Sequence, residues 1–184
     1  MRNANWWPDF ALSAEKILWF YRHSRNTSLD GVIAINAPAL PRVLSLLGPI
    51  PDEQRGVTLT ADTVLHTIQE IVEEGPEKQA GRPKQIIADL APRLADGLAH
   101  LPPQEWPKLW GEIHALLESK DIQLFFTDRA AQAAFERLGW SGRVLPTAPG
   151  QDYLLVANTN VRGQKSDARI TQHIEHQAHV QSDG

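Results

Sequence analysis

Short β-branched and aromatic runs, widely spaced among long stretches of helical periodicity, constrain this chain more than any other feature. Val32–Ile35, Val57–Leu59, Ile122–Phe126 and the Asp152–Asn158 segment are too short for helices and read as strands. Between them, apolar residues recur at three- and four-residue intervals. Phe10, Ala14, Ile17, Leu18 and Tyr21 form one such set, and Val64, Leu65, Ile68, Ile71 and Val72 another. Ile87, Leu90, Leu94, Leu98 and Leu101 make a third, and Trp106, Leu109, Trp110, Ile113, Leu116 and Leu117 a fourth. Strands separated by helices predict an α/β domain, or a mixed α+β one. The expected form is a central sheet of about four to five strands flanked by helices, with a helix-rich middle. Val32–Ile35 and Leu154–Ala157, being continuously apolar, are expected to be buried on both faces.

Local punctuation places the ends. Asp9 and Asp128 are N-cap candidates, Thr60 a third. Gly48-Pro49, Pro102-Pro103 and Gly139 close helices. Pro92 falls inside a helix and is expected to bend it. Residues 74–82 read as a solvated loop, the most mobile segment before the tail. The expected division is a single domain over 1–168 and an extended tail, or a first strand of a further β region, over 169–184. The closing Asp183-Gly184 is a hairpin signal with no strand after it.

Composition excludes several functions. The net charge of −4, without a basic stripe, argues against nucleic acid as a partner. The absence of cysteine removes disulfides and thiolate chemistry. No apolar run approaches the roughly 18–20 residues of a membrane helix. Nucleophile-elbow, P-loop and dinucleotide fingerprints are also absent.

The string Asn5-Trp6-Trp7-Pro8-Asp9-Phe10, followed by Ser13-Ala14-Glu15-Lys16, resembles the signature of a bacterial domain-of-unknown-function family, number 4012. Asp30–Ile35, Leu47–Ile50, Lys120–Leu124, Gly139–Gly142 and Asn160–Asp167 support the resemblance in the family's order. Asn3 departs from it, standing where the family usually has an acid after the first arginine. The resemblance implies an extracytoplasmic, cell-surface protein, anchored in its full length by a membrane segment outside this stretch. This chain would then be part of a larger domain. The family is in turn similar to the LytR-CpsA-Psr phosphotransferases, which attach lipid-carried glycopolymers to cell walls and hold a pyrophosphate and Mg²⁺ with arginines and acids. By that likeness Arg2, Asp9 and Arg162 would be catalytic, and Asn5, Trp6, Asn160 and Lys165 would bind a polyprenyl-pyrophosphate substrate. Arginine forks suit phosphate and carboxylates suit a hard cation. The leading expectation is nonetheless an envelope-associated domain without catalysis of its own. It has no cofactor, Mg²⁺ entering only under the phosphotransferase alternative, and a cell-wall glycopolymer or lipid-linked substrate is a conceivable partner.

Three further constellations have a plainer reading beside a functional one. Asp9 serves as a helix cap without any ligand. His173, His176 and His179 are regularly spaced, but lack a carboxylate at ligand spacing and read as tail residues rather than a metal site. Trp106 and Trp110, at i and i+4, read as core. The alternative is a carbohydrate-stacking platform, which requires that both indoles be exposed together.

Overall fold

The computed structural model describes residues 6–144, 146–148, 150, 154–156, 171 and 173–177. Its contacts divide the chain into two units, Met1–Leu145 and Pro146–Gly184. In the first unit the order is α1 (Phe10–Arg25), β1 (Gly31–Ile35), α2 (Ala39–Leu47), β2 (Ile50–Asp52), β3 (Val57–Leu59) and α3 (Val64–Glu74). After these come α4 (Pro76–Gln79), α5 (Gln85–Ala99), a 3₁₀ turn at Pro103–Glu105, α6 (Trp106–Glu118), β4 (Ile122–Phe126) and α7 (Arg129–Arg137). This is a mixed α+β arrangement.

The strands do not share one sheet. Among the described residues they form two antiparallel pairs, β1 with β4 and β2 with β3. In the first pair Ile33 stands opposite Leu124 and Ile35 opposite Ile122. Asn36 donates its N–H to the Asp121 carbonyl and Thr127 donates to that of Asp30, extending the ladder one step each way. Pairs of equal facing alternate along an antiparallel ladder, so Val32, Ala34 and Phe125 share one face. That face packs on Phe10, Ala11, Ala14 and Leu18 of α1 in one core. The opposite face of β1 is open. Ile33 is 58% and Ile35 63% exposed, which corrects the expectation of a strand buried on both faces. The reason is the number of layers, since α1 covers one side of the strand.

A second core gathers Leu44 of α2, Leu59 of β3, Val64 of α3 and Leu90 of α5, with Leu40, Ile50, Val57, Ile68 and Leu94 around it. The α6 helix lies between the two regions, packing on α2 and β4 and burying Leu109, Leu116 and Leu117.

One expectation about the middle is met and one is corrected. The regular turns of α3 begin at Val64, and Thr60 caps the turn that leads into them, its Oγ1 accepting from Thr63 N and its carbonyl from Val64 N. Residues 74–82 are not a free loop. They contain α4, whose Glu77 is tied to Arg55 across 22 positions of sequence.

In the second unit, Leu154, Leu155 and Val156 are exposed and carry no strand assignment, where the sequence reading expected a buried strand. The expectation rested on the apolar run itself, and a run of this kind stays exposed unless another layer covers it. Residues 152, 153, 157 and 158 of that segment lie outside the described residues.

Candidate functional site

The N-terminal block is built on Asp9. Its Oδ1 accepts the Leu12 N–H at 3.2 Å, satisfying one of the free donors at the start of α1. Its Oδ2 accepts the Val144 N–H at 3.2 Å, 135 positions away. Phe10 N donates to the Gly142 carbonyl at 3.1 Å, and Ser13 Oγ donates to the Trp7 carbonyl at 3.1 Å. One carboxylate therefore caps a helix and clamps the segment after α7 against it. Gly142 suits this junction because its φ of +61° is unfavourable for other residues, and a Cβ there would strike Gln123. Trp6, the other predicted site residue in view, is 62% exposed. Arg2, Asn5, Asn160, Arg162 and Lys165 lie outside the described residues.

An Mg²⁺ site needs carboxylate oxygens free to converge on a cation. Asp9 directs one oxygen at each of two backbone N–H groups, an arrangement that the helix cap and the tie to Val144 account for without a ligand. Among the described residues no group of His, Asp or Glu is arranged to hold a metal. His66 and His100 are exposed and pair locally, with Glu70 and Asp96 at 3.3 Å each. His173 and His176 are exposed, while His179 lies outside the described residues.

The sequence reading gave no sign of an ion cluster on Arg55. From the β2–β3 turn its guanidinium reaches Asp52 at 2.6 Å, Glu77 at 2.5 Å and Asp89 at 2.7 Å. The side chain is 9% exposed, those of Asp52 and Glu77 10% and 16%, and that of Asp89 37%. The hydrogen bond to Glu77, then those to Asp89 and Asp52, hold the guanidinium's pKa above its ordinary range. The bond from Arg55, seconded by one from Gln85, lowers that of Asp89. This cluster joins the β2–β3 hairpin to α4 and α5. It is a structural tie between elements that no local pattern pairs.

Two surface features have the form of binding sites. The first is a cleft of about 650 Å³ between the end of α2, β2 and the second half of α5. Its walls are apolar, with Leu47, Pro49, Pro92 and Leu101 among them, and Arg93, Asp96 and His100 stand at its polar positions. Arg93 is already engaged, donating to the Pro51 carbonyl at 2.6 Å. The second is on α6. Trp106 and Trp110 are 41% and 61% exposed, so the expectation that they pack in the core is corrected. Leu109, Leu116 and Leu117 fill the buried face of this helix instead, leaving the indole stripe at its margin. One turn on, His114 meets Trp140 edge to face at 6.1 Å.

Residues 1–72 match DUF4012, a protein family of unknown function. No curated protein and no solved structure matches the chain. The DUF4012 match takes in α1, β1, α2, the β2–β3 hairpin and most of α3. It therefore includes Asp9 and Trp6, and stops short of β4, which completes the ladder with β1. Over those residues the chain carries an uncharacterised domain. Both α6 tryptophans lie outside the match.

Proposed function

We propose that this chain is a binding domain of an extracytoplasmic cell-envelope protein, without catalysis of its own, that contacts cell-wall glycopolymer through α6. The observation that carries the reading is the joint exposure of Trp106 and Trp110. Residues four apart on a helix lie on the same side, about 6 Å along the axis. Two indoles so held present a flat apolar strip to the C–H faces of sugar rings. The next residue of that stripe is His114, whose ring nitrogens suit sugar hydroxyls. The envelope location is what the family resemblance of the N-terminal block implies.

The phosphotransferase alternative needs Asp9 to act with Arg2 and Arg162 on a pyrophosphate and Mg²⁺. The engagement of both Asp9 oxygens with backbone N–H groups weighs against it.

The test is titration of soluble cell-wall polysaccharide against the full chain, followed by tryptophan emission and calorimetry. Saturable binding is expected, weakened roughly thirtyfold in W106A/W110A with the melting temperature unchanged, at about 1 kcal/mol per stacked ring. Equal binding by the double variant would overturn the reading. Magnesium-dependent binding of an isoprenoid pyrophosphate, lost in R162A, would favour the phosphotransferase instead.

A further inference from the structure

The β1–β4 ladder has two outer edges, and the fold closes one of them. Facing residues of an antiparallel pair alternate between those that exchange bonds and those that do not. Asn36 bonds to Asp121 and Thr127 to Asp30, so the even positions of β1 point their N–H and C=O groups at β4. In β4 the groups turned away find partners, Leu124 N donating to the Trp140 carbonyl at 3.0 Å and Phe126 N to Gln132 Oε1 at 2.9 Å. The groups that β1 turns away belong to Gly31, Ile33 and Ile35. Among the described residues none of them has a partner.

The side chains along this edge are bare as well. On the same face α7 covers the β4 half, Phe135 stacking on Phe126 at 5.2 Å, while Ile33 and Ile35 are exposed. Residues 28–30 and 36–38, which flank the strand, are exposed too. Edge strands are normally protected by a charge, a proline or a bulge. Gly31–Ile35 contains neither charge nor proline and pairs with β4 without a break in register. The short β2 strand shows the usual protection, since Pro51 has no N–H and its carbonyl accepts from Arg93.

We propose that β1 pairs antiparallel with β1 of a second copy of this chain, across a two-fold axis at Ile33, giving a four-stranded sheet ordered β4–β1–β1–β4. The strand's own two-fold match selects this occupant. A copy turned about Ile33 sets Ile33 opposite Ile33 and Gly31 opposite Ile35. The three open positions of one strand then meet the three of the other, and six N–H···O=C bonds form. On the face that α7 leaves bare, the two Ile33 side chains become neighbours, and each Ile35 lies beside a glycine that offers nothing to collide with. Just outside the strand, Asp30 of one copy falls opposite Asn36 of the other. The Asp30 carboxylate has no partner among the described residues, and the Asn36 amide has one long bond, to the Lys120 carbonyl at 3.5 Å. An amide N–H can therefore serve the carboxylate at each end. Any other antiparallel register loses backbone bonds, and one centred on Asp30 sets like charges together. Two five-residue strands bury less than the roughly 1,200 Å² of a stable complex, so the dimer is reversible, with a Kd on the order of 100 μM. The proposal does not rest on the glycan reading, which uses α6.

The test is sedimentation velocity on the full chain between about 5 μM and about 1 mM. A monomer–dimer equilibrium is expected and nothing larger, because a two-fold contact closes on itself. The chain has no cysteine, so a single introduced thiol reads the register. I33C should form a disulfide-linked dimer on mild oxidation, its Cα atoms lying about 5.5 Å apart. I35C should not, because its copies lie roughly 13 Å apart along the strands. N36D brings two carboxylates together at each end and should weaken association about tenfold, whereas D30N/N36D exchanges the partners and should restore it. W106A/W110A should associate as the wild type does, which separates this result from the glycan test. A chain that stays monomeric across the range, the outcome if a different strand covers the edge, overturns the proposal. So does cross-linking of I35C as readily as I33C, or an N36D protein that associates like the wild type.

Discussion

Replacing Arg55 by methionine removes a charge and keeps much of the side chain's volume. Asp52 and Glu77, 10% and 16% exposed, then lose their counter-ion in place. Glu77 Oε2 is already buried without a partner, so loss of the bond at Oε1 strips the whole carboxylate. Each stranded group costs about 1–3 kcal/mol, and breaking a buried ion pair costs about 3–5 kcal/mol in all. Asp89 adds little, because it is more exposed and keeps its bond from Gln85. The expected destabilisation is therefore about 3 kcal/mol at neutral pH, or roughly 6–12 °C in melting temperature for a chain of this size. Urea unfolding followed by circular dichroism gives the global figure. Hydrogen exchange supplies the local one, with amides of α4 and its flanking residues losing protection first. An R55M protein within about 0.5 kcal/mol of wild type, a shift typical of neutral surface changes, would refute the view that this cluster fastens α4. So would unaltered exchange in α4.

Two further outcomes follow from the same geometry. Asp9→Ala removes a helix cap and the clamp on Val144, and should cost about 1–2 kcal/mol in urea unfolding; an unchanged midpoint would show that neither bond matters. Acid should destabilise the fold. Bonds from Gln132 and then Arg143 lower the Glu136 pKa, as those from Arg55 and Gln85 lower that of Asp89. Groups depressed on folding contribute stability above their ordinary values of 4.5 and 3.8, and lose it as pH falls through the folded ones. Melting temperature should therefore drop below about pH 4, and drop less steeply in R55M, which has already lost the bond that depresses Asp89. Parallel acid profiles for the two proteins would contradict this.

What the sequence determined by itself is the local layer of the structure. Asp9 and Asp128 cap α1 and α7 through bonds to residues three positions on, and Ile122–Phe126 forms β4 at its predicted ends. Caps, glycine stops and helical periodicity act within one or two turns, so the residues that decide them are neighbours in the chain. Periodicity also marks a face as apolar, but it does not say whether another element arrives to cover it. The tertiary structure decided that Val32 and Ala34 are packed while Ile33 and Ile35 are open, and that Trp106 and Trp110 stay outside the core. It also decided which strands pair, leaving two ladders among the described residues where the run of strands suggested one sheet. The Arg55 cluster belongs to the same level. Asp52, Glu77 and Asp89 become its partners only when the hairpin, α4 and α5 meet, because the energy of an ion pair depends on distance and burial in space, and neither quantity is written along the chain.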